Sequence, residues 1–101
     1  MNFPHLTLHP NLPTSRYVLG CILAAEKRNP FEAMELFRET KEEFPVARLL
    51  LAEILLQRGA IDAAENELRD YLAVPGVENK HKVECWVARL TETSQNLPAC
   101  P

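Results

Sequence analysis

Hydrophobic positions in this chain recur at three- and four-residue intervals, the spacing that gathers side chains on one face of an α-helix. Five such runs follow one another. In the first, Leu19, Ile22 and Leu23 make the apolar face with Tyr17 and Val18 beside them, from a cap at Thr14 or Ser15 to about Lys27 or Arg28. The second opens on Asn29-Pro30-Phe31-Glu32. Asparagine caps, proline suits a first turn whose N–H groups have no partner, and Glu32 can reach back to the cap. Ala33, Met34, Leu36 and Phe37 carry this helix to near Phe44.

The third run, about 46–58, is apolar almost all round: Val46, Ala47, Leu49, Leu50, Leu51, Ala52, Ile54, Leu55 and Leu56. A helix without a polar face belongs at the buried centre. Gly59 should end it as a left-handed C-cap. Asp62, with Glu65 three residues on, is expected to cap the fourth helix, whose inner face continues through Leu68, Tyr71 and Leu72 until Pro75-Gly76 stops it. The fifth run, about 79–94, carries Val83, Trp86, Val87 and Leu90. Nothing reads as a strand, so the pattern predicts an all-α fold of about five antiparallel helices.

The helical domain spans 14–95, between an arm at 1–13 and a tail at 96–101. Pro4, Pro10 and Pro13 interrupt any helix in the arm. Its Phe3, Leu6, Leu8 and Leu12 need cover, either on the domain or on something upstream.

The runs repeat. Leu19-Gly20, Leu23, Ala33 and Phe37 correspond to Leu51-Ala52, Leu55, Ala64 and Leu68, with nearly the same offset for the first helices as for the second. A large residue beside a small one, then a large one a turn later, lets two helices approach closely and fills the groove beside them. Val83, Trp86-Val87 and Leu90 echo the first half a third time.

The stretch Leu51-Ala52-x-x-Leu55-x-x-x-Gly59-x-Ile61-x-x-Ala64-x-x-x-Leu68 resembles the tetratricopeptide repeat, and Pro75 falls near that family's closing proline. The resemblance covers about 15–92, as units at about 15–44 and 46–76 with a capping helix at about 79–94. Three departures stand out. Tyr71 occupies a place the family gives to a small residue, the first inter-helix turn holds an extra residue around Pro30, and the spacing between units is short. An ordinary antiparallel bundle is the competing architecture.

The resemblance implies a protein-interaction scaffold whose first helices line a concave groove. Carried over position by position, that groove would present Tyr17, Cys21 and Ala24, then Val46, Leu49, Glu53, Leu56 and Gln57, then Glu84, Ala88 and Lys80. Leu49 and Leu56 lie opposite a core face already supplied by Leu51, Ala52, Ile54 and Leu55, which points to a second buried surface: the arm, a second copy, or a partner's peptide or helix. Some family members grip a carboxylate with Lys, Arg and Asn; Tyr17, Cys21, Leu49 and Glu53 stand there instead, so that clamp is absent. The alternative function is a structural or oligomerising unit, alone or in a longer array.

Composition narrows the field. With 101 residues the chain makes one domain, and 47% hydrophobic residues suffice for a core. Eleven basic against fourteen acidic residues, net −3, argue against a nucleic-acid partner, which needs a concentrated basic face. The densest basic group, Lys80-His81-Lys82, has Glu78 and Glu84 beside it and reads as a solvated helix start. No apolar run approaches the ~20 residues that span a bilayer, and Met1 to Pro13 lacks the basic-then-apolar order of a secretory signal, so a cytoplasmic setting without membrane contact is expected.

No residues assemble into chemistry. Cys21, Cys85 and Cys100 have no metal-ligand spacing; the first two should pack as small hydrophobes and the third should be accessible. His5 and His9 lie four apart between prolines and find no further ligand nearby, and His81 sits between two lysines. The carboxylates at Glu39, Glu42, Glu43 and at Glu65, Glu67, Asp70 read as solvated faces. With three glycines there is no phosphate loop, and neither catalysis, a metal nor a cofactor is expected.

Overall fold

The structure, a computed structural model, describes residues 12–91; the expectations for the arm, for His5 and His9, for Cys100, for the end of the fifth helix and for the tail lie outside them. Among the described residues the apolar periodicity becomes five helices and no strand: α1 (Pro13–Ala25), α2 (Pro30–Thr40), α3 (Val46–Gln57), α4 (Ile61–Ala73) and α5 (Lys80–Thr91).

Several ends differ from the sequence expectation, each for a local reason. α1 starts at Pro13, which takes the first helical position instead of blocking it, so Leu12 is the N-cap and Ser15 is buried. α2 stops at Thr40, short of Phe44; the Thr40 hydroxyl donates to the Leu36 carbonyl at 2.8 Å, and Phe44 turns inward to stack on Tyr17. α4 begins at Ile61 without a side-chain cap. Asp62 falls inside its first turn, and Glu65 pairs with Arg69 at 2.6 Å instead of closing a capping box. The Asn29 cap holds: its Oδ1 accepts from the Glu32 N–H at 3.2 Å, and its Nδ2 donates to the Glu32 carboxylate at 2.9 Å.

The two first helices end alike. At α3 the Gly59 and Ala60 N–H groups donate to the Leu56 and Leu55 carbonyls, with Gly59 in the left-handed region at φ 79°. At α1 the Lys27 and Arg28 N–H groups donate to the Ala24 and Leu23 carbonyls. Lys27, which corresponds to Gly59 in the repeat, takes the left-handed place at φ 55°.

The core is the one the repeat pattern marks. Ala33 and Phe37 of α2 and Ala64 and Leu68 of α4 are fully buried, as are Ala47, Leu51 and Ala52 of the central α3. Val83 and Val87 of α5 close it on the far side. At ~25 cal/mol per Å² of apolar surface removed from water, a fully buried Leu or Phe contributes roughly 2–3 kcal/mol. Packing runs between sequence neighbours, α1 on α2, α2 on α3, α3 on α4 and α4 on α5, and no comparable contact closes α1 against α4 or α5. A closed bundle would need that contact; stacked helical hairpins do not. The fold is therefore an all-α array of helix–turn–helix units.

Two features of this packing escape the apolar pattern. Arg48, in the first turn of α3, is buried, with its guanidinium 3.2 Å from Glu42, 3.4 Å from Glu67 and 3.5 Å from Asp70. Lys41 joins it at Glu67, 3.1 Å away, so a charged knot ties α2, α3 and α4 where the sequence reads as solvated carboxylates. Tyr71 is buried too, and its hydroxyl donates to the Glu78 carbonyl at 2.7 Å, anchoring the turn that leads into α5.

Candidate functional site

Helix α3 alternates between core residues and a second row that faces the first helices of the neighbouring units. Toward α5 that row is Val46, Leu49, Leu50 and Glu53; across from it stand Asn79, Lys82, Val83 and Trp86, and between them lies a cavity of about 180 Å³. Its walls are largely aliphatic and aromatic, with the Asn79 amide, one carboxylate and one ammonium as the polar groups. The Lys82 ammonium lies 6.0 Å from the centre of the Trp86 ring, at the outer reach of a cation–π contact. Val46 also lines a second cavity of about 200 Å³ at the Pro75-Gly76 turn, walled by Pro45, Val74 and Val77.

On the other side of α3 a third cavity, about 200 Å³, separates it from α1. Leu23, Ala24, Pro30 and Ile54 make its apolar floor, and Lys27, Arg28 and Gln57 its polar edge. Arg28 pairs with Glu26 at 3.3 Å, and the nearby Arg58 lies 4.0 Å over the ring of Phe31.

Of the eleven candidate groove residues, Val46, Leu49 and Glu53 meet in the α3–α5 cleft, Ala24 and Gln57 meet in the α1–α3 cleft, and Lys80 is exposed at the start of α5. Tyr17 stacks on Phe44 at 4.7 Å and tilts against Phe37 at 6.2 Å, so its ring is engaged with the α1–α2 packing. Burial, with a hydrogen bond to Cys21, raises the Tyr17 phenol above its ordinary value and keeps it neutral. Cys21 is a free, half-buried thiol against the core, and Leu56 is half-buried there as well. Glu84 is exposed, 3.9 Å from His81, and Ala88 is half-buried on α5. Cys85 is half-buried on α5.

Leu50, Lys82 and Trp86 belong to the α3–α5 cleft but not to the candidate set. The repeat does carry a signal for Trp86. It corresponds to Ile54, the residue of α3 that faces the preceding unit, so it should face α3 in the same way.

No group of three or more potential metal ligands occurs among the described residues, and none of the described helices is long and apolar enough to cross a membrane. No family model, curated protein or solved structure matches the chain.

Proposed function

We propose that this protein is an interaction module of the tetratricopeptide type, which holds a short apolar segment of a partner protein in the cleft between α3 and α5. The observation that carries this reading is the cleft itself. Leu49, Leu50 and Trp86, packed against the core, share one depression with Val46, and Glu53, Asn79 and Lys82 are its polar lining. Apolar walls with a few polar groups at the rim suit a peptide or helix whose hydrophobic side chains enter between two helices. Helical hairpins stacked neighbour on neighbour support the family assignment, as does the shared ending of α1 and α3. Opposite charges at the rim do not favour phosphate, so a nucleic acid is not the partner proposed. Catalysis and cofactors form no part of the proposal.

Trp86 is the only tryptophan of the chain and so reports on its own cleft. Peptides selected from a random display library on the intact protein should shift its fluorescence on binding. They should bind at least ten times more weakly to Leu49→Glu, with helix content unchanged by circular dichroism, and measurably more weakly to the rim variant Lys82→Glu. Undiminished binding by both variants would remove the cleft from the proposal.

A further inference from the structure

The charges of this protein are sorted by helix. α2 carries Glu32, Glu35 and Glu39 against Arg38, and α4 carries Asp62, Glu65, Glu67 and Asp70 against Arg69. In the first helices the balance is reversed. α1 and the turn that ends it hold Arg16, Lys27 and Arg28 against Glu26, and α3 with its C-cap holds Arg48 and Arg58 against Glu53. Part of this cationic charge is used inside the fold: Arg16 pairs with Glu39 at 3.4 Å, and Arg48 with Glu67 at 3.4 Å. The remainder gathers at the α1–α3 cleft. Among the described residues Lys27 and Arg28 line it and no carboxylate does, while Arg58 directly follows the lining residue Gln57. Neither Lys27 nor Arg58 pairs with a carboxylate among the described residues. Arg28 is held by Glu26 alone, at 3.3 Å between two exposed side chains, a weak pair that a better-placed carboxylate can replace.

Lys27 holds its place against a backbone preference. The second unit has Gly59 there, which takes the left-handed conformation without strain, whereas the first unit keeps a lysine at φ 55°. The strained position sets an ammonium at the edge of a cleft whose floor is Leu23, Ala24, Pro30 and Ile54. Such a floor takes the methylene stem of an acidic side chain while the cations at the edge receive its carboxylate. The α3–α5 cleft offers less to an acid, because Glu53 stands there with Lys82. The two clefts adjoin: Glu53 lines one and Gln57 the other, one turn apart on α3. From Leu49 and Leu50 to Gln57 is about 11 Å along the helix axis, a length that about three residues of extended peptide span.

We propose that the α1–α3 cleft reads an acidic side chain, Asp or Glu, of the same partner segment whose apolar residues enter between α3 and α5, with Lys27 and Arg28 receiving the carboxylate. The acid stands about three residues from the apolar anchor. This inference rests on the interaction-module reading and supplies its specificity: apolar burial holds the segment, and the acid selects which segment is held and speeds its encounter.

Peptides selected from a random display library on the intact protein, and retained where Leu49→Glu weakens their binding, test it. Most should carry Asp or Glu about three places to one side of the apolar anchor. Changing that acid to its amide should weaken binding at least tenfold, as should Lys27→Glu or Arg28→Glu with helix content unchanged by circular dichroism. Lys27→Gly, which relieves the strain, should also bind the acidic peptide more weakly while folding no less stably. A peptide with lysine in place of the acid should recover binding to Lys27→Glu, and added salt should weaken the acidic peptide and spare its amide. Leu49-dependent peptides without an acid, or an amide bound as tightly as the acid, overturn the inference and leave the interaction module standing. A short oligothymidylate bound as tightly as the acidic peptide overturns it too, as general attraction for polyanions. A library without any Leu49-dependent binder removes the interaction module and this inference with it.

Discussion

Phe37 packs on α1 at Gly20 so closely that a β-carbon built there would stand 2.9 Å from the ring's Cε1 atom and 3.3 Å from the Leu36 β-carbon. The ring is fully buried and cannot swing away, so α1 and α2 must separate if the position gains volume. Gly20→Val should therefore destabilise the fold by about 1–3 kcal/mol, the usual cost of overpacking a filled core. Urea unfolding checks it, with the loss expected as a lower midpoint at unchanged slope.

Lys27 is a replacement waiting to be made. It holds a left-handed conformation at φ 55° in the place where α3 uses Gly59, and its N–H already donates to the Ala24 carbonyl. A side chain in that conformation costs about 1 kcal/mol that glycine does not incur. Lys27→Gly is expected to raise stability by about that amount, which in a domain of this size lifts Tm by about 4–8 °C. Calorimetry reads the shift directly; a lower Tm would mean that the lysine makes a compensating contact.

The Arg48 knot should behave as a unit. Glu67 is 14% exposed and loses one of its two cations when Arg48 is truncated, although Lys41 remains 3.1 Å away. Arg48→Ala should cost about 3 kcal/mol, the scale for breaking a buried ion pair. The double variant Arg48→Ala/Glu67→Gln should cost less than the two single changes together, because both remove the same contact. Chemical denaturation of the four proteins closes the cycle, and additive losses would show that the pair is not coupled.

Both tyrosines of the chain have phenols raised above the ordinary 10.0, each first by burial. Folding thus favours the neutral form. The stability this supplies is complete below about pH 10, the unfolded value, and is lost as pH rises through the raised folded values. Tyrosinate absorbance should appear at higher pH in native than in urea-unfolded protein, and alkaline unfolding should accompany it. Coincident titrations in the two states would contradict the burial of Tyr17 and Tyr71.

How much of this can be read without coordinates depends on what kind of signal each residue carries. Apolar spacing alone places Ala33, Phe37, Leu51, Leu68 and Val83 in the core, because burial is what makes an amphipathic helix fold. Helix ends are less legible. Thr14 or Ser15 would make a good cap, but Pro13 is tolerated at the first position, and the capping place expected for Asp62 falls to Ala60. Arg48 is out of reach: its burial depends on three carboxylates brought from α4 and the end of α2, and a contact among distant charges leaves no periodicity. Of the cleft, Val46, Leu49 and Glu53 can be placed by the repeat alone. Lys82 is hidden in a group of basic residues that reads as uniformly solvated, and Trp86 in a row that reads as core.

Helices that pack chiefly on their sequence neighbours have a further consequence. Most stabilising contacts join residues close together along the chain, so little loop-closure entropy is spent before they form, and folding should be fast for a chain of this length. The same locality bears on ancestry. A single hairpin cassette can be duplicated or dropped at the α2–α3 junction while every surviving interface keeps its old partner type, so the number of hairpins is a quantity that inheritance can change in single steps.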